Sequence, residues 1–197
     1  MLGRYTDAQT ALRRAYDLGP TAAVCSNLGT AYFALGDMTN AIAMYERAVE
    51  MTPRDHRYRR NLGDAYERAR RLPDARTAWS QAASIAEAEL RANKAGAIAE
   101  QFATAALYRA KLADGPAART LLASARTAAR ADDPGVQLKI AQALELIGAR
   151  RHALDTLTRA VTAGLALSEI EQSPELARLR LDAHYLQRKT AWQTKTP

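Results

Sequence analysis

Asn27 and Asn61 stand 34 residues apart, and Arg57, Arg60 and Arg68 surround the second of them. A carboxamide both donates and accepts, which suits it to holding an extended peptide backbone. The three arginines stand at i, i+3 and i+11, which on a helix puts them on one side, and can present several guanidinium groups to carboxylates or phosphates. This is binding chemistry. The residues that catalysis or metal binding would need are not grouped. His56, His152 and His184 are far apart, no H-E-x-x-H run occurs, and Cys25 is the only cysteine, which argues against zinc. The ten glycines are dispersed and form neither a G-x-G-x-x-G nor a Walker loop. No H-R-D or D-F-G element is present. Asp132-Asp133 is a carboxylate pair, but it precedes Pro134-Gly135, and capping of the next helix is its expected role. We therefore expect a non-enzyme with no cofactor and no metal.

The elements that must position these residues repeat. Leu28, Gly29, Tyr32, Ala41, Tyr45 and Ala48 return 34 positions later as Leu62, Gly63, Tyr66, Ala75, Trp79 and Ala82. A fixed period of this size signals stacked supersecondary units. Ala41, Tyr45 and Ala48 are spaced i, i+4, i+7 and share one helix face. Small residues recur where helices must cross closely, and large ones where a hole must be filled. Gly36-Asp37 predicts a corner, with Gly supplying a positive φ and Asp capping the next helix. Breakers at Pro20, Gly36, Pro53, Pro73, Gly96, Gly115, Pro134 and Gly148 exclude one long coiled coil.

The expected organisation is a single all-α solenoid. Residues 3–18 form the second helix of a partial repeat, with Leu2-Gly3-Arg4 as the preceding turn. Repeats follow at 22–55 and 56–94, then drifted repeats at 96–131 and 134–163, and capping helices at 167–193. Helix ends are expected near Asn93–Gly96, and the corner at Arg70 lacks the glycine of its counterpart. In the tail, Ser173-Pro174 reads as an N-cap with Pro at the first helical position. A helical stretch is expected from about Asp182, with Leu176, Leu179, Leu181 and Leu186 covering the last pair and a frayed end from Thr190.

Arginine supplies 23 of the 28 basic residues, and the net charge is +7. Such a balance favours an anionic partner: an acidic or phosphorylated segment, or nucleic acid. Nucleic acid is disfavoured because no reader helix or aromatic platform accompanies the Arg pairs. No run of about 18 apolar residues spans a bilayer. The chain reads as soluble, with the cytoplasm favoured over the periplasm, although one cysteine leaves the redox compartment undetermined.

Residues 23–53, A-x-x-x-N-L-G-x-A-Y-x-x-x-G-D-x-x-x-A-I-x-x-Y-x-x-A-x-x-x-x-P, resemble the tetratricopeptide repeat family. The resemblance extends over about residues 3–163, with Ala141 and Leu144 standing for the Gly and Tyr in the fourth unit. It implies antiparallel helix pairs in a right-handed superhelix whose concave face, lined by the first helix of each pair, binds a peptide or partner segment. On that basis Asn27, Thr30, Phe33, Arg57, Arg60, Asn61, Asp64 and Arg68 are the groove residues. The Lys-plus-Asn carboxylate clamp of the family's chaperone-tail binders does not carry over, because Ser26 and Thr30 occupy the corresponding places. Leu138–Tyr185 looks like the C-terminal end of repeat regions in bacterial multidomain signalling proteins such as eukaryotic-like serine/threonine kinases. That resemblance makes the chain an expected regulatory arm of a longer parent. The face of Ala8, Leu12 and Ala15, lacking a first helix to cover it, is expected to promote self-association.

Overall fold

The computed structural model describes residues 2–93 and 96–193, and these are all-α with helix pairs of the α-solenoid class. Two compact units are present, Met1–Ile85 and Ala86–Pro197. The first contains α1 (Leu2–Leu18), α2 (Ala22–Leu35), α3 (Met38–Met51), α4 (His56–Arg68) and the larger part of α5 (Leu72–Ala92). We call α2 and α4 A helices, and α3 and α5 their B partners.

Each A–B crossing in this unit rests on a glycine. A Cβ built on Gly29 would lie 2.9 Å from the Tyr45 ring, and one on Gly63 would lie 2.5 Å from the Trp79 ring. Only a bare backbone lets the B-helix aromatic come that close. Ala41, Ala48, Ala75 and Ala82 flank the two rings and are fully buried. Gly36 closes α2 in the left-handed region at φ 85°, where its N–H and that of Asp37 donate to the carbonyls of Phe33 and Tyr32. Asp37 then caps α3 through the Asn40 N–H. The second corner has the same shape without the glycine: Arg70 sits at φ 62°, a strained place for a side-chain-bearing residue.

The C-terminal unit contains the end of α5, then α6 (Ala99–Lys111), α7 (Gly115–Thr127), α8 (Pro134–Leu146), α9 (Arg150–Thr162), α10 (Leu167–Gln172) and α11 (Ala183–Gln193). Short 3₁₀ turns at Pro174–Leu176 and Leu179–Leu181 precede α11. The pairs are α6–α7 and α8–α9, and the two A helices α6 and α8 pack on each other. Asp114 and Asp133 cap α7 and α8 through the N–H groups of Ala117 and Val136, the role expected for the Asp132-Asp133 pair. One apolar core runs from Ala99 to Trp192 and includes Ile140, Leu157, Ile170, Leu176 and Leu179.

Three local expectations are corrected and one is met in another form. Leu2-Gly3-Arg4 is not a turn, since α1 is already helical at Leu2; glycine permits a corner but does not enforce one. Ser173 and Pro174 take the expected N-cap and first helical positions, but of a three-residue 3₁₀ helix, and the Ser173 hydroxyl donates to Glu175 instead of to a helix N–H. Of the four tail leucines, Leu176 and Leu179 are fully buried, but Leu181 is 84% and Leu186 52% exposed. Of the expected frayed end, residues 190–193 are helical, with Trp192 packed edge-on against the buried Tyr185, and residues 194–197 lie outside the described residues. The expected helix ends near Asn93–Gly96 fall partly on residues 94–95, outside the described residues.

Candidate functional site

α2 and α4 are in contact, and together they carry all eight candidate groove residues: Asn27, Thr30 and Phe33 on α2, and Arg57, Arg60, Asn61, Asp64 and Arg68 on α4. Two side-chain contacts join the helices. Asn61 Nδ2 donates to Ser26 Oγ at 3.3 Å. The Arg68 guanidinium lies over the Phe33 ring, 5.0 Å from its centroid. Asn27 is exposed, and its amide makes no hydrogen bond among the described residues.

Two of the eight have a second, structural task. Thr30 Oγ1 lies 3.0 Å from the Tyr45 hydroxyl and donates to the Ser26 carbonyl. Asp64 Oδ1 accepts from Trp79 Nε1, also at 3.0 Å. Thr30 and Asp64 are 34-residue equivalents, as are Tyr45 and Trp79, so one A–B hydrogen bond recurs with both partners exchanged. Tyr can donate or accept, whereas the Trp indole only donates and requires an acceptor, which Asp supplies. Burial raises the Tyr45 hydroxyl pKa; Thr30 and Arg60 work against the rise and Asp64 adds to it. On the other side of α4, burial and the Glu46 carboxylate push Tyr66 up to about 12.

The arginines are less available than their spacing suggests. Arg57 grips Asp55, with Nε on Oδ1 at 3.0 Å and an outer nitrogen on Oδ2 at 2.6 Å, and this holds the Asp55 carboxyl below its ordinary pKa. Arg60 Nε lies 2.8 Å from Asp64 Oδ2. Counting Asp55 and Asp64 against Arg57, Arg60 and Arg68 leaves the face only weakly basic. An incoming carboxylate has to compete with two resident ones. The surface therefore offers one open amide, an Arg-on-aromatic platform and guanidiniums already engaged by internal carboxylates.

Residues 2–43 and 26–89 match the family model described as tetratricopeptide repeat. Over residues 2–89 the chain is similar to tetratricopeptide repeats. Two solved structures show the same fold over nearly its whole length. A thermophilic tetratricopeptide repeat protein of Thermus thermophilus, TTC0263, is 24% identical, covers 94% of this chain and 91% of its own, and superposes with a TM-score of 0.59. Pseudomonas aeruginosa pilF is 18% identical, covers 96% and 90%, and gives 0.53. No curated protein sequence is significantly similar. Within the repeat framework, α2 and α4 are the first helices of consecutive repeats.

Sequence reasoning missed a second polar cluster, in the C-terminal unit. Lys111 Nζ lies 2.9 Å from Glu175 Oε1, with the two side chains only 6% and 2% exposed. Ser173 and Gln142 complete the group. The partners come from three separate parts of the chain, and the local sequence carries no signal of the meeting. Among the described residues, no His, Cys, Asp or Glu group is arranged to hold a metal, and no helix is long and apolar enough to cross a membrane.

Proposed function

We propose that this protein is a non-catalytic interaction scaffold that takes a segment of a partner protein on the α2–α4 face. The observation that supports it is that the open amide of Asn27 and the Arg68–Phe33 platform are carried by the same pair of touching helices, α2 and α4. An extended segment there has its backbone read by Asn27 and an apolar or acidic side chain received at Phe33 and Arg68. The partner is selected by shape and amide pairing more than by charge, because Asp55 and Asp64 already occupy two of the arginines. A photo-crosslinking residue placed at position 27 tests this. It should capture a defined partner, and the same residue at exposed Glu50 on α3 should not. Equal capture from both positions would refute the assignment.

A second reading concerns self-association through α1. Ala8, Leu12 and Ala15 are half buried, while their counterparts one repeat later, Ala41, Tyr45 and Ala48, are buried in an A–B crossing. The α1 face thus has the small–large–small pattern of a crossing without the full cover. Leu12→Arg should lower the weight-average mass in sedimentation at high protein concentration. An unchanged mass would dismiss this contact.

A further inference from the structure

The A helices of the C-terminal unit are buried nearly all round, and what covers them includes the chain itself. On α8, Gln142 and Glu145 are buried along with the apolar residues. The 3₁₀ turn Pro174–Leu176 packs on this helix. Glu175 Oε1 meets Lys111 Nζ, from the last residue of α6, at 2.9 Å. Ser173 Oγ donates to Glu175 Oε2 at 3.0 Å, and Gln142 Nε2 on α8 reaches Ser173 Oγ at 3.0 Å. One carboxylate is thus held from two successive A helices.

An end cap has no need of that geometry. In a helical-repeat array each unit touches only its neighbours, so a cap on the last pair would rest on α8 and α9 alone. This segment packs on α8 and, through the Lys111–Glu175 pair, also reaches the end of α6 in the preceding pair. The choice of residues points the same way. Burying an ammonium and a carboxylate carries a large desolvation penalty, and apolar substitutes at both places are often as stable. A buried pair here contributes selectivity: it specifies which side chain sits at this spot.

We propose that the α6–α8 face is a binding surface for an extended, carboxylate-bearing segment, and that residues 173–176 of the same chain are its resident occupant. The surface is closed to any outside segment until the resident one leaves. A competitor needs a carboxylate for Lys111 and Gln142, a hydroxyl two residues before it, and an apolar side chain directly after it in the place of the fully buried Leu176. Gly164, at φ 101°, begins the connection that leads to residues 167–193. This proposal is independent of the reading of the α2–α4 face.

Native-state hydrogen exchange on the intact protein tests whether the segment leaves by itself. Amides of α10 and α11 should exchange through openings at least 100-fold more frequent than those exposing α6, α8 and α9. A single common opening for all of them would overturn the proposal, since the segment would then be part of one cooperative fold. Recognition is tested by titrating a synthetic peptide of residues 170–178 into the full-length Glu175→Gln variant. Amide shifts should appear at Lys111 and Gln142, and the same peptide with its own Glu175→Gln change should bind at least tenfold more weakly. Equal binding of the two peptides, or binding of neither, would also overturn it. Should Glu175→Gln fail to fold, the full-length Ser173→Ala variant, which keeps the Lys111–Glu175 pair, replaces it in the same titration, with the same supporting and overturning results.

Discussion

The two units use equivalent helices in opposite ways. In the N-terminal unit, the outward side of α2 and α4 stays open, with Asn27, Arg57 and Arg68 exposed. In the C-terminal unit, α6 and α8 are covered, and a Lys–Glu pair is sealed beneath the cover. The open surface keeps its charges engaged in short-range pairs, Arg57 with Asp55 and Arg60 with Asp64, which solvent screens and a ligand can rearrange. On the covered surface the pair separates only when the cover itself lifts, because removing one partner beneath it leaves the other ion buried without its counter-charge. A repeat scaffold can therefore hold one face ready and another occupied with the same helix geometry, by changing only what lies on top.

The largest break in this contrast should come from Glu175→Ala. It leaves the Lys111 ammonium buried without its carboxylate and should cost the C-terminal unit about 3–5 kcal/mol in chemical denaturation. Arg57→Ala in the open unit should by contrast change stability by less than about 1 kcal/mol. Next comes Gly63→Ala. Its new Cβ would strike the Trp79 ring, and overpacking of about 1–3 kcal/mol exceeds the helix propensity gained, about 1 kcal/mol. Gly29→Ala, with a looser approach to Tyr45, should stay within about 1 kcal/mol of the parent protein. A third check uses alkali. Tyr66 titrates near 12 in the fold against an ordinary value of 10.0, so its contribution is complete below pH 10 and is lost as the pH rises through about 12. Tyr66→Phe should flatten that part of the stability profile. The smallest effect should be Arg70→Gly, a gain of about 0.5–1 kcal/mol, since glycine takes φ 62° without strain. If Arg70→Gly destabilises instead, the stacking of neighbouring Arg71 on Tyr66 depends on this corner more than its geometry suggests.

The N-terminal helices could be read from sequence because every signal agreed: the 34-residue register, the small–large alternation and the capping residues all placed α2 and α3 within a residue or two of where they lie. The eight candidate groove residues lie on two touching helices, where Asn27 and Asn61, like Thr30 and Asp64, keep the same period. Their pairing was less legible. That Thr30 and Asp64 serve Tyr45 and Trp79 depends on how two helices cross, which no single helix pattern contains. Asp55 was passed over because a residue just before a helix reads as a cap, and here it caps α4 and binds Arg57 as well. The tail misled for a similar reason: Ser-Pro begins an α-helix or a 3₁₀ turn equally well, and only contact with α8 selects between them. Lys111 at a helix end has every local reason to face water. Its burial is decided by Glu175, 64 positions away.

Cys25 is fully buried on α2, and burial raises its thiol pKa despite the nearby Arg47. As the chain's single cysteine it can react with an aqueous thiol reagent only when its surroundings open. The protein thus carries its own spectroscopic clock. The rate at which an aromatic disulfide labels the unmodified chain measures how often the first repeat comes apart, and it is blind to the C-terminal unit so long as that unit opens alone.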